Sequence, residues 1–387
     1  MVWTGVNTAS AQNSGAEFQK ILREKAEFDE TDFAALGQGQ TVVRLLPVKD
    51  KREVAVSGLV SLQVPAEVFL QSFRENMFRN SNPAILEIGR FSAAPTLDDL
   101  QTLTIEDRDL EDLKECVVGD CKLKLSTAMI ERLQKEVNWQ APDYRVQATQ
   151  LLKLMLLDYV RDYLARGDAA LIEYNDKPEE IRVAEEQRGL MAASCYLTNV
   201  LPEFPHPFKG AAKPAMSIVE DALVWSKIKF GLKPVLAINH IIVYKREQGS
   251  GPQVLVASKQ IYANHYFDSS LALTAFVNVP GETPGAYLFY ENRSRADGLG
   301  GMFGKMKRGL VEGKAVESLK SILESSKANL MARASSQPET GTSASGKHWS
   351  ISRVQLSLLL LLIAAFVALF SLSKYSWKSS LTERAPH

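Results

Sequence analysis

Apolar and polar positions alternate most strictly between residues 54 and 64. Val54, Val56, Gly58, Val60, Leu62 and Val64 fall on one side of an extended chain, and Ala55, Ser57, Leu59, Ser61 and Gln63 on the other. A period of two predicts a strand with one largely apolar face and one mixed face. Pro65 ends it and suits the first turn of a helix, where Glu67 favours the helix dipole. Val68, Phe69, Ser72, Phe73, Asn76 and Met77 then trace a helical stripe. Upstream, Phe18, Ile21, Leu22 and Ala26 have helical spacing, and Gly37-Gln38-Gly39-Gln40 breaks it.

Residues 85 to 103 predict one or two strands around Pro95. Residues 104 to 115 are charge-rich, with Leu110 and Leu113 among acidic residues, and read as a solvated face. Helices are predicted over Thr127 to Val137 with Ser126 as cap, over Tyr144 to Leu164 with a stop at Gly167, and over Glu180 to Leu197. Pro202 to Pro214 holds four prolines and reads as a loop. Strands follow at Ala222 to Phe230, Val235 to Tyr244, Val254 to Tyr262, Leu271 to Val279 and Tyr287 to Asn292. Short turn segments separate them, which favours an antiparallel meander. After a glycine-rich bend from Gly298 to Gly304, a long helix is predicted from Lys305 to Leu330.

The C-terminal pattern is different. Ser335 to Gly346 is rich in Ser, Thr and Gly and reads as a flexible linker. Val354 to Ser373 is a run of twenty residues without a formal charge, bracketed by Arg353 and Lys374, with Trp349, Tyr375 and Trp377 at its flanks. As a helix it would measure roughly 30 Å, the thickness of a bilayer's hydrocarbon core, so a single transmembrane helix is expected there. The chain then divides into a remnant of a signal peptide at 1–12, a soluble α+β body at 13–332, a linker at 333–353, the span at 354–373 and a tail at 374–387.

Charge and cysteines narrow the setting. Basic and acidic residues balance at 45 each, and no basic block marks a nucleic-acid binder. Cys116 and Cys121 bracket Val117-Val118-Gly119-Asp120. If these four make a hairpin loop, the two thiols face each other and a disulfide can close; otherwise they are reduced thiols near a turn. No second Cys/His pair lies nearby, which disfavours a metal. Ala9-Ser10-Ala11 matches the small-residue cleavage site of a secretory signal, but no charged n-region or apolar core precedes it. Either the true start lies upstream or the match is chance. In the first case the body is periplasmic or otherwise extracytoplasmic, where disulfides persist.

The order of elements, with Val64-Pro65-Ala66-Glu67-Val68-Phe69 leading a strand into a helix and a late meander feeding a long helix, resembles the START-like (SRPBCC, helix-grip) superfamily. The likeness covers about residues 50 to 80 and 220 to 330, with about 95 to 215 as a helical insertion. The whole chain also resembles uncharacterised bacterial exported proteins carrying Cys-Val-Val-Gly-Asp-Cys, here residues 116 to 121. The first resemblance implies a curved antiparallel sheet wrapped around a long C-terminal helix over a deep apolar cavity. Neither resemblance implies an established activity.

Candidate chemistry centres on the meander. His240 and His265 both fall within it, and if their segments pair, both imidazoles approach one pocket. Histidine suits proton transfer, and Asp268 is placed to orient His265. The plainer alternative is two hydrogen-bonded strand histidines. There is no H-E-x-x-H for zinc, no metal or cofactor is expected, and Gly298 to Lys305 lacks the spacing of a phosphate loop. Cys195 sits among mostly apolar neighbours and reads as a structural thiol. Tyr262, His265, Phe267, His240 and Arg293 are the expected pocket lining. The expected function is a membrane-tethered, non-catalytic module binding an apolar or amphiphilic ligand such as a lipid. The alternatives are a hydrolase- or cyclase-like enzyme using a pocket histidine, and a structural or assembly protein of the envelope.

Overall fold

The computed structural model describes residues 6–76, 84–195, 197, 216–246, 252–278, 285–299 and 304–336. Two helices open the chain, α1 (Val6–Ala26) and α2 (Glu30–Gly37). Asp29 caps α2, its carboxylate accepting from the Asp32 N–H while Asp32 accepts from the Asp29 N–H. Strands β1 (Val42–Leu45) and β2 (Glu53–Gln63) follow, then α3 (Ala66–Asn76) and β3 (Ile85–Arg90).

The middle of the chain is helical. It holds α4 (Asp107–Lys114), α5 (Thr127–Glu136), α6 (Tyr144–Arg166), a small β4 (Glu173–Tyr174) and β5 (Ile181–Arg182) ladder, and α7 (Val183–Ala193). Ser126 caps α5 through its hydroxyl, which accepts from the Met129 N–H. Gly167 ends α6 with φ of +59°. The meander is β6 (Ser217–Ile228), β7 (Val235–Lys245), β8 (Val254–Ala263), β9 (Phe267–Asn278) and β10 (Gly285–Ala296), and α8 (Gly304–Ser336) closes the described chain.

All pairings in the large sheet are antiparallel, in the order β1-β2-β10-β9-β8-β7-β6-β3. The strand with the cleanest alternation, β2, therefore sits next to the last strand of the meander. Its even-numbered residues face α8, where Val54, Val56, Val60 and Leu62 share a core with Leu319, Leu323 and Leu330. Gly58 lets α8 approach closely at the crossing, where a Cβ would meet the tip of Leu323 and press on Leu319. The same core holds Phe69 of α3 stacked on Phe276 of β9, ring centroids 5.4 Å apart.

The opposite face of the sheet is covered along its length. Phe18 and Leu22 of α1, Leu36 of α2 and Leu190 of α7 pack on Leu59, Phe289 and Leu273. The α4–α6 helices pack on Trp225, Ile238, Ile261 and Tyr262. The helical middle of the chain thus lies on the face away from α8.

Several expectations need correction. The fold class is α+β with an eight-stranded antiparallel sheet and a long last helix, but among the described residues no helix is long and apolar enough to cross a membrane. The two longest helices are interrupted by charge: α6 carries Lys153, Asp158 and Arg161, and α8 carries Arg308, Glu312, Lys314, Glu317, Lys320 and Lys327. The expected transmembrane helix at 354–373 and the tail at 374–387 lie outside the described residues, so the membrane-tethered reading has no support. Residues 202–214 also lie outside them. The helix expected from Glu180 begins only at Val183, because Ile181 and Arg182 pair with Tyr174 and Glu173. Residues 85 to 103 give one strand and a single 3-10 turn, Leu97–Leu100. Residues 104 to 115 are not a wholly solvated face, since Asp109 is buried with Leu110 and Leu113.

Candidate binding site

The five residues expected to line a pocket occupy separate places. His240 projects from β7 toward α6, its Nδ1 2.8 Å from the Tyr163 hydroxyl and its Nε2 2.8 Å from Asp221 Oδ1. Phe267 lies on the α8 face against Phe230, ring centroids 4.9 Å apart. Arg293 is buried on the other face, donating to Glu53 at 2.7 Å and Glu291 at 2.8 Å. Two carboxylates thus neutralise the cation that an anionic headgroup would need.

Tyr262 and His265 are closer in setting. Tyr262 packs between Tyr159 and Tyr174, with a hydroxyl that has no partner among the described residues. His265 Nε2 is 3.0 Å from Asp109 Oδ2, and Lys233 donates to Asp109 Oδ1 at 2.7 Å. Burial works against ionisation of Asp109, but His265 and Lys233 outweigh it and hold the carboxyl below its ordinary range.

The turn between β8 and β9 gathers these groups. Tyr266 adopts φ of +61°, a conformation that a bulky residue holds only when its surroundings fix it. Here they do: the Asp297 N–H donates to the Tyr266 carbonyl at 2.6 Å, and the Tyr266 hydroxyl accepts from the Lys233 N–H at 3.1 Å. Beside the turn, Lys124 is buried against Asp268 at 2.8 Å and Asp297 at 3.1 Å. Arg52 reaches Asp268 and Glu186, both at 2.9 Å. Burial pushes the Asp268 carboxyl up, with Lys124 pulling the other way. Its neighbour Asp176 is also pushed up by burial. The disulfide between Cys116 and Cys121 is docked onto this region, with the Gly119 and Cys121 N–H groups donating to the carbonyls of Asn175 and Asp176, each at 2.8 Å. These charges are spent on one another and lock the turn in place.

Among the described residues, two open grooves lie elsewhere, at the β2 side of the sheet, while the space beside Asp109 and Asn264 is only about 10 Å³. Two adjoining grooves of about 460 and 350 Å³ share Gly39, Lys327 and Met331. The smaller is walled by Phe33 and Leu36 of α2 on one side and Lys327 and Met331 of α8 on the other. Its floor is the end of β2 and the start of β10, with Ser61, Gln63, Gly285 and Tyr287. The larger continues along α8 past Lys320 and Glu324. None of His240, Tyr262, His265, Phe267 or Arg293 lines either groove.

The groove exists because two elements stop early. The α2–β1 connection folds back on its helix, the Gln40 N–H donating to the Ala35 carbonyl at 3.0 Å. The ladder between β1 and β2 therefore begins only at Val42 and Leu59, leaving the last residues of β2 open on that side. Lys327 bridges the gap by donating to the Gly39 carbonyl at 2.7 Å. Among the described residues no group of His, Cys, Asp and Glu is placed to hold a metal ion. Comparison of the chain with protein-family models, with curated proteins and with solved structures finds no match.

Sequence reading missed Asp109, Lys124 and the groove. Asp109 had a signal: it lies four residues before Leu113, so both share one face of α4. Lys124 gave none, since nothing local distinguishes it from Lys122, which is 64% exposed at its side chain.

Proposed function

We propose that the protein is a non-catalytic binding module of an oxidising, extracytoplasmic compartment. Its ligand is amphiphilic and sits in the groove between α2 and α8. The observation that carries this reading is the contrast between the polar turn and the groove. The acid–base groups of the polar turn are buried and paired with each other, as His265 is with Asp109 and Lys124 with Asp268. The concavity open to a ligand offers apolar contact chiefly from Phe33 and Met331, over the buried Leu36 and Tyr287, with Lys320, Glu324 and Lys327 beside it. That mixture of apolar and polar lining suits an amphiphile. The Cys116–Cys121 disulfide supports the compartment, because such bonds persist where thiols are not kept reduced.

The test uses 1-anilinonaphthalene-8-sulfonate, an aromatic anion with an apolar body. Its fluorescence should rise saturably with the full chain and lose most of that rise in Met331→Glu, a substitution at an exposed position of α8. An unchanged titration curve in that variant would place the amphiphile elsewhere and defeat the reading.

A further inference from the structure

On the floor of the groove, the backbone of β2 is paired to β10 but, among the described residues, open on its β1 side at Ser61 and Gln63. Neighbouring residues of an antiparallel strand direct their N–H and C=O groups to opposite sides. The Leu46 N–H donates to the Ala55 carbonyl, so odd-numbered residues of β2 point toward β1. The Ala296 N–H donates to the Arg52 carbonyl, so even-numbered ones point toward β10. Ser61 and Gln63 therefore direct two N–H and two C=O groups toward the β1 side, beyond the point where β1 begins. Among the described residues no hydrogen bond reaches those four groups from that side. Both residues line the groove.

We infer that this site takes an extended peptide segment of another protein as an added strand. The inference rests on the binding role proposed above and names the class of ligand. A strand entering in line with β1 would exchange four hydrogen bonds with Ser61 and Gln63, and backbone pairing at an open edge is an established source of affinity. The side-chain preference follows from the alternation. Residues opposite Ser61 and Gln63 share the face of Tyr287, Phe33 and Leu36, and so are apolar. The residue between them turns toward α8, where Lys320 and Lys327, outnumbering Glu324, complement an acidic side chain. The ligand pattern is apolar–acidic–apolar in extended conformation.

The probe is fluorescein-labelled Thr-Val-Glu-Val-Thr, blocked at both ends, compared with the same peptide N-methylated at both valines. The parent peptide should bind, and methylation should weaken it by about tenfold or more, the loss of two hydrogen bonds. Ser61→Pro should weaken the parent peptide similarly while leaving the fold intact, because the N–H it removes faces away from β10. Amide exchange at Ser61 and Gln63 should slow on binding, with Leu62, already paired to β10, unchanged. Equal binding of both peptides overturns strand addition, and should Ser61→Pro fail to fold, this comparison on the unaltered chain still decides. Binding of the anilinonaphthalene probe without the peptide also overturns it but leaves the amphiphile reading standing. Binding of neither defeats both.

Discussion

Lys124 Nζ lies 2.8 Å from Asp268 Oδ1, with the two side chains 2% and 1% exposed. This pair anchors the turn that starts β9, and Arg52 and Asp297 extend it. Lys124→Met leaves Asp268 and Asp297 with less cation between them, and removing one partner of a buried pair costs about 3–5 kcal/mol. Urea denaturation should show that loss. The double change Lys124→Met with Asp268→Asn should lose less than Lys124→Met alone, because the stranded charge is gone.

Acid should act on two buried carboxyls with opposite sign. The Asp109 carboxyl is depressed in the folded chain, so its contribution is present above its unfolded value of 3.8 and is lost as pH falls through the folded value. Asp109→Asn should therefore be less stable than the parent at pH 7, by a margin that shrinks in acid. The Asp176 carboxyl is raised by burial, so folding favours its proton and stability is lost as pH rises from 3.8 through the folded value. Asp176→Asn should match or exceed the parent at pH 7 and converge with it in acid. Thermal denaturation across pH 3 to 8 checks both, and a parallel response of the two variants would contradict the assignment.

Glycines at two crossings should differ in their tolerance. A Cβ at Gly89 of β3 would overlap the Trp225 ring, which is held by a hydrogen bond from Nε1 to the Asp99 carbonyl at 2.7 Å. Gly89→Ala should cost about 1–3 kcal/mol and shift the tryptophan near-ultraviolet dichroism. A Cβ at Gly58 meets the tip of Leu323, which can rotate. Gly58→Ala should therefore cost less than Gly89→Ala, measured as the difference in denaturation midpoints.

The loop closed by Cys116 and Cys121 is short, and loop entropy assigns such a ring about 2 kcal/mol. Replacing both cysteines by serine should lower stability by about that much, read from denaturant midpoints. No change would mean that the backbone contacts of Gly119 and Cys121 with Asn175 and Asp176 hold the loop unaided.

Much of this architecture was legible in the residues. Strand β2 announced itself through alternation at Val54, Val56, Val60 and Leu62, and the meander through turn residues between β-rich runs. Gly167 and Ser126 marked helix ends because their chemistry is local. What alternation could not give was partnership across the chain. Arg293 and Glu53 are 240 residues apart, and Lys124 and Asp268 are separated by 144, so no local window contains either pair. The groove was equally hidden, because it arises where β1 begins late against β2, a register visible only once the strands are paired.

The most direct test of the account is a nuclear magnetic resonance titration of the full chain, labelled at the Met331 methyl and at backbone amides, with the valine–glutamate–valine peptide or the anilinonaphthalene anion. The account predicts saturable shifts that begin together at Met331, Ser61 and Gln63 and leave His265 and Tyr262 in place. Shifts confined to His265, Tyr262 or His240, with Met331 unmoved, would contradict it.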